Sequence, residues 1–106
     1  MASRYTATDA AAYERLMGRW SGHLADKLIA FTGIDAGDRV LDVGCGTGSV
    51  ALALAARPEP SAIVGLDIAA PYIAYASRRV ADRRLSFVVG DAVAMNFPAA
   101  SFDRCY

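Results

Sequence analysis

The chain is poor in the residues that would announce a metal centre, a disulfide scaffold or a highly charged surface. It has 106 residues with two cysteines, one histidine and one tryptophan. Cys45 and Cys105 offer no metal-ligand spacing and no disulfide framework, so neither a metal nor a disulfide-built fold is expected. Eleven basic residues balance eleven acidic ones, and the zero formal charge argues against a nucleic-acid or anionic-membrane surface. The longest apolar run, Val50 to Ala56, is far too short to span a bilayer. The N-terminus carries Asp9 and Glu14 and lacks the apolar core of a secretory signal, so a cytoplasmic protein is expected. Large core-forming side chains are fewer than the 55% apolar content suggests, because 22 residues are alanine.

What the sequence does contain is strong alternation. Thr8 or Asp9 could cap a helix through "AAAYERLMGRW". Ser21 could cap a second, with Leu24, Leu28 and Phe31 at helical spacing and Gly33 as its stop. From residue 39 the period changes. Short apolar strands are expected at "RVLDVG", "AIVGLD" (62–67) and "LSFVVGD" (85–91), with a fourth beginning in "FDRCY". Helices are expected over 49–57, closed by Pro58, and from Pro71 through "PYIAYASRRVADR". This alternation implies an α/β fold with a mostly parallel sheet covered on both faces. The sharpest boundary lies near residue 35, giving an N-terminal helical segment (1–34) and a β/α unit (35–106).

The sharpest feature is "VLDVGCGTG", residues 40–48. Glycines at 44, 46 and 48 join a strand to a helix N-terminus. Such a turn lets a ligand approach the backbone and offers free N–H groups to an anionic group. The dinucleotide fingerprint G-x-G-x-x-G does not fit: the third glycine comes one position early, and Asp42 has no place in it.

This stretch resembles the glycine motif of the class I S-adenosylmethionine-dependent methyltransferases, near the ubiquinone-biosynthesis-type and other small-molecule enzymes. "VGLDIAAPYIAYA" is similar to that family's second-strand motif, and "FVVGDAVAMNFPAASFDRCY" to its third-strand acid and the start of its fourth strand. The resemblance implies a Rossmann-like three-layer sandwich with strand order 3-2-1-4, the first part of a seven-stranded sheet. It implies S-adenosyl-L-methionine as cofactor and methyl transfer to a small-molecule acceptor. Asp42 would orient the methionine amino group, with Gly44, Cys45 and Gly46 passing that portion and Gly48 completing the cofactor loop. Asp67 would accept from both ribose hydroxyls, Ile68 would pack on adenine, Asp91 would accept from the adenine amino group, and the Ala92 N–H would reach a ring nitrogen. Arg19 would meet the methionine carboxylate, although a solvated arginine is an equal reading. A carboxylate can accept two hydroxyl donors, and Asp67 follows Gly48 by 19 residues, near the offset at which an acid meets a ribose in related folds.

No catalytic base is identified: His23 reads as a surface or capping residue, and Cys45 as a small loop residue. Cys105 reads as strand core, and the arginines of "SRRVADRR" as a solvated helix end. Because family members continue beyond a fourth strand, the chain reads as a cofactor-binding fragment without activity of its own, prone to self-associate through that strand. Two alternatives stand beside this reading: an NAD(P)-dependent oxidoreductase of related fold, and a non-catalytic nucleotide-binding module.

Overall fold

The computed structural model describes residues 9–106. A single helix, α1 (Ala10–Thr32), replaces the expected pair. Asp9 caps it, its Oδ1 accepting from the Ala12 N–H at 2.9 Å; Thr8, the other proposed cap, lies outside the described residues. Ser21 does not start a new helix, because no proline breaks the chain there and Ala25 and Ile29 anchor the continuous helix by burial. Leu24, Leu28 and Phe31, placed at helical spacing by the sequence, are exposed. The helix ends at Gly33 with φ at 76°, where the Gly33 N–H donates to the Ile29 carbonyl at 2.8 Å.

The β/α unit follows the expected order closely. Its strands are β1 (Arg39–Val43), β2 (Ala62–Asp67), β3 (Leu85–Val89) and β4 (Arg104–Cys105). Helix α2 (Ser49–Ala55) follows β1, and α3 (Ala70–Ser77) follows β2. A short 3₁₀ turn covers Ala92–Ala94. All pairings are parallel and the sheet order is β3-β2-β1-β4. Ile29, Val40, Ala51, Leu54 and Ile63 form the core cluster, so α1 and the sheet share one core. Burial is uneven: Val40, Leu41 and Asp42 are buried, whereas Val88 and Val89 on the outer strand β3 are substantially exposed.

Three further expectations are corrected. Helix α3 stops at Ser77, short of the arginine-rich stretch. The reason lies in Arg84, which donates to the carbonyls of Ala55, Arg57 and Pro60 and pairs with Asp82 at 2.8 Å. These bonds satisfy carbonyls around the end of α2 and require the chain to have left the helix. Arg79 and Arg84 are thus structural partners rather than a solvated face. Cys105 is exposed, not core; the neighbouring Tyr106 turns inward instead, its hydroxyl donating to the Gly33 carbonyl at 3.1 Å. No helix among the described residues is long and apolar enough to cross a membrane.

Candidate functional site

In a parallel sheet, side chains at the carboxyl ends of the strands open into a crevice. Here the glycine turn sits at that end of β1. It is tied to β2 by the Gly44 and Cys45 N–H groups, which both donate to the Leu66 carbonyl at 2.7 and 3.0 Å. Gly44 and Gly46 have φ of 69° and 56°, values that side chains rarely adopt. A Cβ at Gly44 would enter open space. Gly48 is different. Its φ is 95°, and a Cβ there would meet Ala76 and Phe87 at 3.3 Å, so its missing side chain also serves close helix–strand packing.

Two cavities flank this turn and share Gly44. One, about 250 Å³, is lined by Tyr13, Leu24, Leu28, Asp42, Gly44 and Gly46. The other, about 240 Å³, is lined by Gly44, Asp67, Ile68, Gly90, Asp91 and Ala92. The expected cofactor residues therefore gather around one turn, with two exceptions. Gly48 lines neither cavity. Arg19 lies with His23 on a third cavity, larger at about 380 Å³, that contains none of the acids at the strand ends. Size does not make that cavity the site: Glu14, Arg19, His23, Asp26 and Arg79 line it, but it includes no residue from the carboxyl ends of the strands, where a parallel sheet opens its ligand crevice.

Asp42 is 4% exposed, and its Oδ2 is a buried oxygen with no hydrogen-bond partner among the described residues. Burial pushes its pKa up to about 7, opposed by the Ala51 backbone N–H and reinforced by the Asp67 charge. A buried, unsatisfied carboxylate oxygen on a cavity wall calls for a donor from outside the chain, and a cationic donor above all. Burial likewise pushes the Cys45 thiol up to about 12, with Asp42 and Asp67 adding to it, so Cys45 is not a thiolate nucleophile.

Asp67 does more than expected. Its Oδ2 accepts from the Gly46 N–H at 2.9 Å and its Oδ1 from the Ala69 N–H at 2.8 Å. It thereby braces the glycine turn while each oxygen keeps a free lone pair for a further donor. Asp91 Oδ1 accepts from the Val93 N–H at 2.9 Å, capping the 3₁₀ turn. Tyr13 stacks against Tyr72 with ring centroids 5.3 Å apart and closes one side of the first cavity. Leu24 and Leu28 complete that wall. Sequence reasoning missed them as cavity residues, since helical spacing alone does not say whether an apolar face meets a core or a cleft.

Comparison with known proteins agrees with this geometry. A profile for a methyltransferase domain matches residues 40–106. The chain belongs to the methyltransferase-domain family. Among curated members, demethylmenaquinone methyltransferase of Thermus thermophilus is 42% identical over 67 residues, covering 61% of this chain and 30% of that protein. Erythromycin 3''-O-methyltransferase of Saccharopolyspora erythraea is 40% identical over 86 residues, covering 76% of this chain and 28% of that protein. Phosphoethanolamine N-methyltransferase 2 of Haemonchus contortus, solved in complex with S-adenosyl-L-methionine, superposes with a TM-score of 0.77 at 32% identity, over 97% of this chain and 26% of that one. This member of the family thus spans less than a third of the length of the curated relatives described.

Proposed function

We propose that the chain provides the S-adenosyl-L-methionine-binding part of a methyltransferase acting on a small-molecule acceptor. The observation that carries this reading is the unsatisfied Asp42 Oδ2, buried on the wall of a cavity that meets a second, acid-lined cavity at Gly44. The cofactor has a cationic amino group at one end and a cis-diol and adenine at the other. Asp42 suits the first as an acceptor, and Asp67 suits the diol. Ile68 would lie against adenine, with Asp91 and the Ala92 N–H at its edge. When bound, the cofactor supplies an activated methyl group on a sulfonium. The chain's part is to hold it by its two ends and so fix its orientation; alignment accounts for much of the acceleration in such transfers. No described residue is assigned as a general base, and none is needed unless the acceptor must lose a proton.

The relatives' names, demethylmenaquinone and erythromycin 3''-O-methyltransferase, support a small-molecule acceptor. The family match does not favour an NAD(P)-dependent oxidoreductase. A cytoplasmic setting, and self-association through β4, which pairs only with β1 among the described residues, belong to the same proposal. Titration calorimetry tests the cofactor. S-adenosylhomocysteine should bind with one site per chain, and NADH should give no heat of binding. Saturable NADH binding without S-adenosylhomocysteine binding would overturn the reading.

A further inference from the structure

Three side chains outside the expected ligand set meet behind the glycine turn. Glu14 of α1 accepts from Thr47 Oγ1 at 2.7 Å, and its other oxygen pairs with Arg79 Nη2 at 2.9 Å. Arg79, two residues beyond α3, donates through Nη1 to the Thr47 carbonyl at 2.9 Å. Each member of this triangle is bonded to both others, and each comes from a different part of the fold. Thr47 is 2% exposed, and the Glu14 and Arg79 side chains are mostly covered. Charge-assisted bonds with this degree of cover are stronger and less screened than surface pairs.

Gly18 is a separate observation pointing the same way. A Cβ at Gly18 would stand 2.5 Å from Glu14 Oε1 and 2.6 Å from its Cδ. Residues four apart share a helix face, so the Glu14 carboxylate lies in the space that the glycine leaves. Glycine is disfavoured inside a helix. Here it gives Glu14 the clearance to reach Thr47 and Arg79.

The rest of α1 shows why such a contact matters. Its buried residues are Ala10, Ala25 and Ile29, so between Ala10 and Ala25 no side chain is fully buried. Apolar anchoring is concentrated towards the C-terminal end. Yet this helix supplies Tyr13, Leu24 and Leu28 to the cavity that holds Asp42 and Gly46. We propose that Glu14, Thr47 and Arg79, with Gly18 as clearance, form a clasp that fixes the N-terminal half of α1 against the glycine turn and so positions the wall of the ligand cavity. Glu14, Thr47 and Arg79 are positioning residues, and the Tyr13–Tyr72 stack is the apolar counterpart of the same contact. The inference rests on the cofactor reading only in its ligand-binding readout.

The test measures amide hydrogen exchange and S-adenosylhomocysteine affinity in the 106-residue chain and four variants. Gly18→Ala and Thr47→Val should each speed exchange at least fivefold in both the first half of α1 and residues 45–49. Each should also weaken S-adenosylhomocysteine at least fivefold. Gly18→Ala should do so with a urea midpoint equal to or above that of the parent, which a merely destabilising change would not show. Thr47→Ser, which keeps the hydroxyl, should stay within twofold of the parent. Arg39→Ala, which breaks the remote pair with Asp103, should leave both segments unchanged. If Gly18→Ala and Thr47→Val exchange and bind as the parent does, the clasp is wrong and the cofactor reading stands. If the parent does not bind S-adenosylhomocysteine but helix and turn loosen together, the clasp stands and the cofactor reading falls. Faster exchange confined to α1 would also overturn the clasp.

Discussion

The two cavities that meet at Gly44 are built in opposite ways. On the Asp42 side the acid is buried, one of its oxygens is unsatisfied, and a long helix forms the wall. On the Asp91 side the acid is exposed, already caps a turn, and shares its cavity with an Ile68 that is 69% exposed. The first side is preorganised: the cost of desolvating the carboxylate has been met by folding, so a cation arriving there is strongly favoured. The second side is open in the free chain, and on the proposed reading it would gain its cover from the ligand. Asp67 stands between the two and serves both, since it braces Gly46 while facing the second cavity.

The largest expected effect is therefore at the hinge of this comparison. Asp67→Ala removes the brace on Gly46 and Ala69 and, on the proposed reading, an acceptor for two ligand hydroxyls. Hydrogen bonds to charged groups are worth about 1.5–3 kcal/mol each, so S-adenosylhomocysteine affinity should fall by about 100-fold or more. Calorimetry on a variant whose circular dichroism is native checks it. A loss of less than tenfold would mean that Asp67 serves only the turn.

Asp42→Asn should give the next largest effect, with opposite signs for binding and stability. Burial holds Asp42 at about 7, against the ordinary aspartate value of 3.8. Between those values the folded chain keeps a proton that the unfolded chain has lost. Its stabilising contribution is thus complete below about pH 4 and is lost as pH rises through about 7. Asparagine removes that loss, so the free variant should be more stable than the parent at pH 8 by about 2 kcal/mol. Ligand binding follows the reverse course. An ammonium needs the carboxylate, so parent affinity should rise as pH goes from 6 to 8, while Asp42→Asn should be roughly 30-fold weaker at pH 8 and lack this pH dependence. Urea unfolding and calorimetry at both pH values separate the two.

The contrast between the cavities was only partly legible in the sequence. "AIVGLD" matches β2 residue for residue, because a continuous apolar run ending in an acid has few alternatives in a parallel sheet. The glycine turn and its three acids were legible for a similar reason: φ above zero and strand-end acids leave local signatures. Long-range partnerships do not. Nothing local links Glu14 with Thr47 or Arg79, which lie 33 and 65 residues away. Ser21 looks the same as a helix cap or as a mid-helix serine, and only the burial of Ala25 and Ile29 decides between them. Cys105 and Tyr106 show the same limit, since a strand's two faces are assigned by what packs on them.

The smallest expected effect tests whether the Asp91 side is as open as it stands. Ile68 is exposed in the free chain, so Ile68→Ala removes little buried area and should change the urea midpoint negligibly. On the proposed reading its contribution arises when adenine covers it. Losing roughly 30 Å² of apolar contact at about 25 cal/mol per Å² amounts to about 0.8 kcal/mol, or a three- to fourfold weaker S-adenosylhomocysteine affinity. Because the difference lies in apolar area buried on binding, it should also make the heat-capacity change of binding less negative. A loss above tenfold would show that segments around Ile68 close over the ligand and bury far more than the free structure presents. The two cavities would then differ only before the ligand arrives, one formed in advance and the other formed by closure.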